Sequence, residues 1–156
     1  MLRLNRLTDY AVVVLGAMSR NSEVMTAPYL AQTTGIPQPT VSKILNALSR
    51  HDLIVSMRGA GGGYLLDRKA DDISVADIIQ ATEGPIALAA CVDGADDHCD
   101  VEATCLMRGN WNRVNTAVAD ALRTVSLADM MSFEHAFPLP ENNPQNEALE
   151  SGNQPT

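Results

Sequence analysis

Cys91, Cys99 and Cys105 stand inside one fifteen-residue acidic segment, and no other cysteine occurs in the 156-residue chain. Three thiols so close together can converge on one soft metal centre, each thiolate supplying negative charge to iron or zinc. An odd cysteine count suits metal or redox chemistry better than a disulfide framework. A second set of side chains is equally suggestive. Gln38, Thr40, Ser42, Lys43, Asn46 and Arg50 are all hydrogen-bonding types interleaved with Val41, Ile44, Leu45 and Leu48. With the apolar residues buried on one face, the polar ones point outward in the pattern of a helix that reads base edges in a major groove. An ordinary helical hairpin with a solvated polar face is the competing reading of this stretch.

The elements that must position these residues follow from capping and periodicity. Thr8 is the expected N-cap of a first helix, with Tyr10, Val14, Ala17 and Met18 at helical spacing behind it. Thr26 caps a second, shorter helix that Gly35 stops, Ile36 and Pro37 turn the chain, and Pro39 opens the third helix. Two helices joined by a short Gly-containing turn form a helix-turn-helix. Leu53 to Met57 and Tyr64 to Leu66 are β-rich runs flanking Arg58-Gly59-Ala60-Gly61-Gly62-Gly63, which reads as a hairpin with a glycine tip. Such a hairpin after a recognition helix is a wing. Arg58 can reach a minor groove or a phosphate from it, and Gly61 and Gly62 let backbone approach the duplex. No Gly-Lys-Ser/Thr follows the glycines, which argues against a nucleotide loop.

Ser74 and Asp77 form a capping-box-like start to a helix that Gly84-Pro85 closes. The cysteine loop follows. From Asn110 the chain is again helical, with Trp111, Val114, Val118, Ala121 and Val125 as a seam that suits a partner subunit, or packing back on its own domain. Leu127 to Met131 is a last helical turn, and the proline-containing polar tail behind it reads as disordered.

Charge separates along the chain. Residues 1–69 hold eight Lys or Arg against four Asp or Glu, whereas residues 70–156 hold three against fifteen, and the net charge of -8 conceals this. A basic N-terminal half suits phosphates; two solvated surfaces of opposite sign are the bland alternative. No apolar run approaches the roughly 20 residues needed to span a bilayer. No signal-peptide pattern opens the chain, so a cytoplasmic protein with no membrane partner and no small-molecule substrate is expected.

These residues resemble the Rrf-type winged-helix transcription factors, the family that includes the cluster-biogenesis regulator IscR, the nitric-oxide sensor NsrR and regulators of SUF operons. The resemblance rests on Leu7-Thr8-Asp9-Tyr10-Ala11, Gly35-Ile36-Pro37, Val55 to Tyr64, and Ile73 to Ile79, with the cysteines where the family binds its cluster. Glu83 to Leu88, Asn110-Trp111 and Val125 to Met130 are most similar to the SUF-regulator branch.

The resemblance implies a mainly α fold, with a winged helix-turn-helix DNA-binding domain over 1–84, a cluster-binding loop over 85–109, a long dimerisation helix over 110–131 and a tail over 132–156. It also implies a homodimer on a double-stranded DNA operator, an iron-sulfur cluster with 2Fe-2S favoured over 4Fe-4S, and repression of a SUF operon rather than enzyme activity. A nitric-oxide or redox-sensing regulator of other genes is one alternative, and a small iron-sulfur or thiol electron carrier is another of a different class.

There are departures from the family pattern. Seven residues separate Cys91 from Cys99, where IscR has five, and Arg108 stands where IscR-like members have a ligating His. A guanidinium keeps its proton and cannot ligate iron. By resemblance to NsrR-like proteins, Asp9 would supply the missing ligand from the other subunit; an acid in a first helical turn is also stabilised by the macrodipole alone. His98 is the local rival. Ser42 and Lys43 replace an acid and an amide of IscR, so a different operator is expected.

Overall fold

The computed structural model describes residues 3–95, 98–101, 104–107 and 109–132. Arg108 and the tail beyond Ser132 lie outside the described residues. The chain forms α1 (Arg6–Ser19), α2 (Ala27–Thr34), α3 (Gln38–Arg50), β1 (Ile54–Met57), β2 (Gly63–Leu66), a 3-10 turn (Ala70–Asp72), α4 (Val75–Glu83), α5 (Asn110–Arg123) and α6 (Leu127–Met131). This is the expected order of a mainly α winged helix-turn-helix protein.

The first helix starts earlier than Thr8. Asn5 is its N-cap, the side chain accepting a hydrogen bond from the Leu7 amide at 3.2 Å, and Asn is among the best residues for that role. Thr8 is instead inside the helix and only 1% exposed. A buried hydroxyl requires a partner, and this one bonds Thr82 Oγ1 at 2.8 Å and donates to Glu83 Oε1. Glu83 also accepts from the Asn5 amide at 2.8 Å, so the start of α1 is pinned to the end of α4.

The helix-turn-helix forms as its sequence dictates. Thr26 caps α2 through the Tyr29 amide, and Gly35 ends it in the left-handed region at φ 72°, where a side chain would be strained. Val41, Ile44, Leu45 and Leu48 of α3 are fully buried and meet Ala11, Val14 and Leu15 of α1 and Leu30 of α2 in one core, with Ile73 and Ile78 from the α4 region and Leu127 from α6. Ser74 and Asp77 make the full capping box at the start of α4.

The wing is an antiparallel hairpin, with Ile54 opposite Leu66 and Met57 opposite Gly63. Met25, just before α2, extends it by a bridge: its amide donates to Tyr64 O at 2.9 Å and its carbonyl accepts from the Tyr64 amide at 2.8 Å. The hairpin is therefore anchored to the helical domain by backbone.

After the cysteine loop, Gly109 at φ 79° turns the chain into α5. Ala119 is buried as α5 packs on α4. The helix ends at Arg123, so Val125 does not continue its seam. Val125 sits in an extended crossing of the chain before α4, where the Val75 amide donates to its carbonyl at 2.9 Å and the Leu127 amide donates to Ile73 O at 2.7 Å. Among the described residues no helix is long and apolar enough to cross a membrane.

Candidate nucleic-acid interface and cysteine loop

On α3 the buried stripe leaves a polar one. Gln38, Lys43, Asn46 and Arg50 are exposed and Thr40 and Ser42 half-buried, so all six lie off the packed face as their spacing predicts. Arg50 Nε donates to Asn46 O at 3.2 Å, which lays part of that guanidinium along its own helix. Among the described residues Arg123 and Asp120 form the sole ion pair, so Lys43 and Arg58 are not neutralised by a neighbouring carboxylate. Unpaired cations on an outward helix and a wing can contact phosphate oxygens without breaking anything first.

The wing glycines divide by cause. A Cβ at Gly62 would lie 2.6 Å from Met57 O, and one at Gly63 would lie 2.6 Å from Met25 O, so the hairpin's own backbone excludes a side chain at Gly62 and the bridging Met25 backbone excludes one at Gly63. Gly62 was expected to serve close approach to a duplex; its packing inside the hairpin is reason enough for glycine. Gly61 meets nothing within 4 Å and keeps its loop surface open. Arg58 is exposed beside it.

Cys91, Cys99 and Cys105 are free thiols, each half-buried. The segment carrying them runs in successive turns, including Val92 N–H to Ala89 O at 3.2 Å and Ala95 N–H to Val92 O at 3.1 Å. Val92 is buried and tethers the stretch next to Cys91. The donor set suits a soft metal by its chemistry: three reduced thiols on one loop. Among the described residues, however, no three His, Cys, Asp or Glu side chains stand together closely enough to hold a metal ion. Asp9 is exposed on the first turn of α1, in a shallow cleft with Arg3, Leu4, Asn5, Arg6 and Glu83. His98 is exposed in the loop.

Two side chains absent from the sequence-based site reach this loop from α5. Asn115 Oδ1 accepts from the Leu88 amide at 3.0 Å while its Nδ2 donates to Ile86 O at 2.8 Å. Asn112 Oδ1 accepts from the Asp93 amide at 2.9 Å and its Nδ2 donates to Asp93 Oδ2 at 2.8 Å. The available signal was a pair of poor helix formers three residues apart inside a helix, beside the apolar seam. Of that seam, Trp111 and Val114 are about half exposed in the single chain and Val118 half-buried.

The matching family model is that of Rrf2, "Iron-dependent Transcriptional regulator", over residues 4–132. The chain is 35% identical over 115 residues to protein rrf2 of Nitratidesulfovibrio vulgaris, covering 74% of this chain and 76% of that protein. It is 27% identical over 135 residues to the HTH-type transcriptional regulator IscR of Sodalis glossinidius, covering 85% and 81%. Among solved structures, that of CymR (YrzC), the global cysteine regulator of B. subtilis, superposes with a TM-score of 0.62 at 27% identity, covering 85% of this chain and 98% of that one. The matched proteins are regulators rather than enzymes. The chain belongs to the Rrf2 family of DNA-binding transcriptional regulators.

Proposed function

We propose that this chain is a cytoplasmic, homodimeric regulator that senses iron-sulfur status and represses a SUF cluster-assembly operon while its cluster is in place. The observation that carries the reading is the set of three free thiols on one loop behind an Rrf2 winged helix. Support comes also from the family's iron-dependent description and from the IscR relative. Residues 1–84 act as the DNA-binding domain, 85–109 as the cluster loop and 110–131 as the dimer segment, with 132–156 as a tail.

Cys91, Cys99 and Cys105 hold the cluster in this reading, and Asp9 of the other subunit supplies the fourth ligand. The cluster, 2Fe-2S in preference to 4Fe-4S, supplies an oxidisable and removable centre when bound. The protein's own parts do the rest. Thiolates released from metal regain freedom to turn, and the loop bearing them is continuous with α4 and α5. Trp111, Val114, Val118 and Ala121 meet their copies across the dimer, so a shift of α5 resets the distance between two α3 helices. Two such helices must sit about one DNA turn apart to enter successive major grooves. Gln38, Thr40, Ser42, Asn46 and Arg50 then face base edges, Lys43 projects from the same helix toward the groove wall, and the wing contributes Arg58 with Gly61 and Gly62.

Anaerobic purification followed by iron and sulfide analysis, visible absorbance and Mössbauer spectra tests the reading. We expect wild type to carry a cluster, and Cys91→Ala, Cys99→Ala and Cys105→Ala each to lose its charge-transfer bands. Asp9→Ala should leave a cluster that forms and decays faster. Wild-type protein that takes up neither iron nor sulfide would refute iron-sulfur sensing and leave only the DNA-binding regulator.

A further inference from the structure

We propose that Asn112 and Asn115 are positioning residues that clamp the Cys91 segment to α5, making this helix the first element to move when Cys91 changes state. The proposal deepens the function proposed above and rests on it for the identity of the signal.

The two asparagines lie three residues apart and so share one helix face. Each uses both its acceptor and its donor on the loop. Asn115 holds backbone on both sides of Ala87, through the Leu88 amide and Ile86 O, while Asn112 holds the Asp93 amide and its carboxylate. The four bonds straddle Cys91, which is left in the short span between Leu88 and Asp93, where buried Val92 further limits its freedom. At the other end of the same strap, Glu83 is bound to the start of α1. Cys91 therefore lies between two attachment points on α5, and the fixed point on the DNA-binding domain stands farther up the same strap, before the Asn115 contacts. Cys99 and Cys105 have no such bonds from α5 among the described residues. One position round the helix from the clamp lie Trp111, Val114 and Val118, so any pull on Asn112 or Asn115 turns or displaces the seam itself.

A side-chain amide is suited to this task because one group offers a donor and an acceptor to peptide backbone. The gain does not come from helix formation, since Asn inside a helix is less favourable than Ala. Replacing both by Ala should leave the helix and the fold intact. The main core is built from residues up to Ala81 and from Leu127, with no member on the loop or on α5.

The test uses the full chain and its Asn112→Ala/Asn115→Ala variant. In reduced, metal-free protein, iodoacetamide alkylation is followed at each cysteine by mass spectrometry. We expect Cys91 to react about fivefold or more faster in the variant, a floor that the net worth of only one of the four lost hydrogen bonds already implies, with Cys99 and Cys105 little changed. No acceleration at Cys91, or equal acceleration at all three, overturns the clamp. A second arm compares DNA affinity of protein reconstituted with ferrous iron and sulfide with that of metal-free protein. The variant should load iron as wild type does while its affinity ratio falls toward one; a variant that loads iron and keeps the wild-type ratio overturns the proposal. Wild type that fails to load iron sinks the functional reading alone, because the alkylation arm still decides the clamp.

Discussion

Thr8→Val isolates the pin between α1 and α4, because it removes one hydroxyl and leaves shape, β-branching and helix propensity nearly unchanged. Thr8 is 1% exposed and its hydroxyl serves both Thr82 and Glu83. A hydrogen bond to a charged group contributes about 1.5–3 kcal/mol and one between neutral groups about 1 kcal/mol. Two structural features reduce the loss. Thr82 Oγ1, whose proton goes to Thr8 while Thr8 donates to Glu83, can turn it to Ile78 O at 2.8 Å, and Glu83 is exposed and still accepts from the Asn5 amide, so neither partner is left dry and unpaired. The new methyl group, buried in place of the hydroxyl, returns about 0.8 kcal/mol. The net prediction is a destabilisation of about 1–2 kcal/mol. Urea unfolding of metal-free protein at one fixed protein concentration would show it as a lower midpoint with unchanged slope. Pairing Thr8→Val with Glu83→Gln should give a coupling energy of about 0.5–1.5 kcal/mol. A Thr8→Val protein as stable as wild type, or a strictly additive pair, would refute the pin.

Gly63→Ala should cost about 1–3 kcal/mol in the same unfolding assay, because its Cβ would meet immobile backbone at Met25, whereas Gly61→Ala should stay within about 0.5 kcal/mol. Equal effects would show that the hairpin shifts freely at Met25. If Arg58 clamps a phosphate from each wing of a dimer, Arg58→Ala should reduce the slope of log affinity against log salt by about 1.8, measured by fluorescence anisotropy. Lys43→Ala should weaken binding as well, and unchanged affinity in both variants would exclude these residues from the interface. Val118→Glu should raise the dimer dissociation constant roughly a hundredfold, about 3 kcal/mol for an unpaired charge in a dry seam. Sedimentation showing an intact dimer would place the seam elsewhere.

Local chemistry was enough to determine much of this protein. The Thr26 cap, the Gly35 stop, the Val41, Ile44, Leu45 and Leu48 stripe and the Ser74–Asp77 box depend on neighbours within a few residues, so sequence specified them and with them the polar face of α3. The three cysteines, too, marked out one loop by their number and spacing, and they stand there as half-buried free thiols. Contacts between residues far apart in the chain were decided only by tertiary structure. Thr8 became a buried pin rather than a cap because α4 places Thr82 and Glu83 beside it, 74 and 75 positions away. Met25 became a wing anchor because Tyr64 offers it an open edge of the hairpin, and Val125 left the helical seam because Ile73 and Val75 bind its neighbourhood in extended form. Asn112 and Asn115 gained their role in the same way, since an amide's partners are fixed by what the fold carries past it and leave no periodic trace in the sequence.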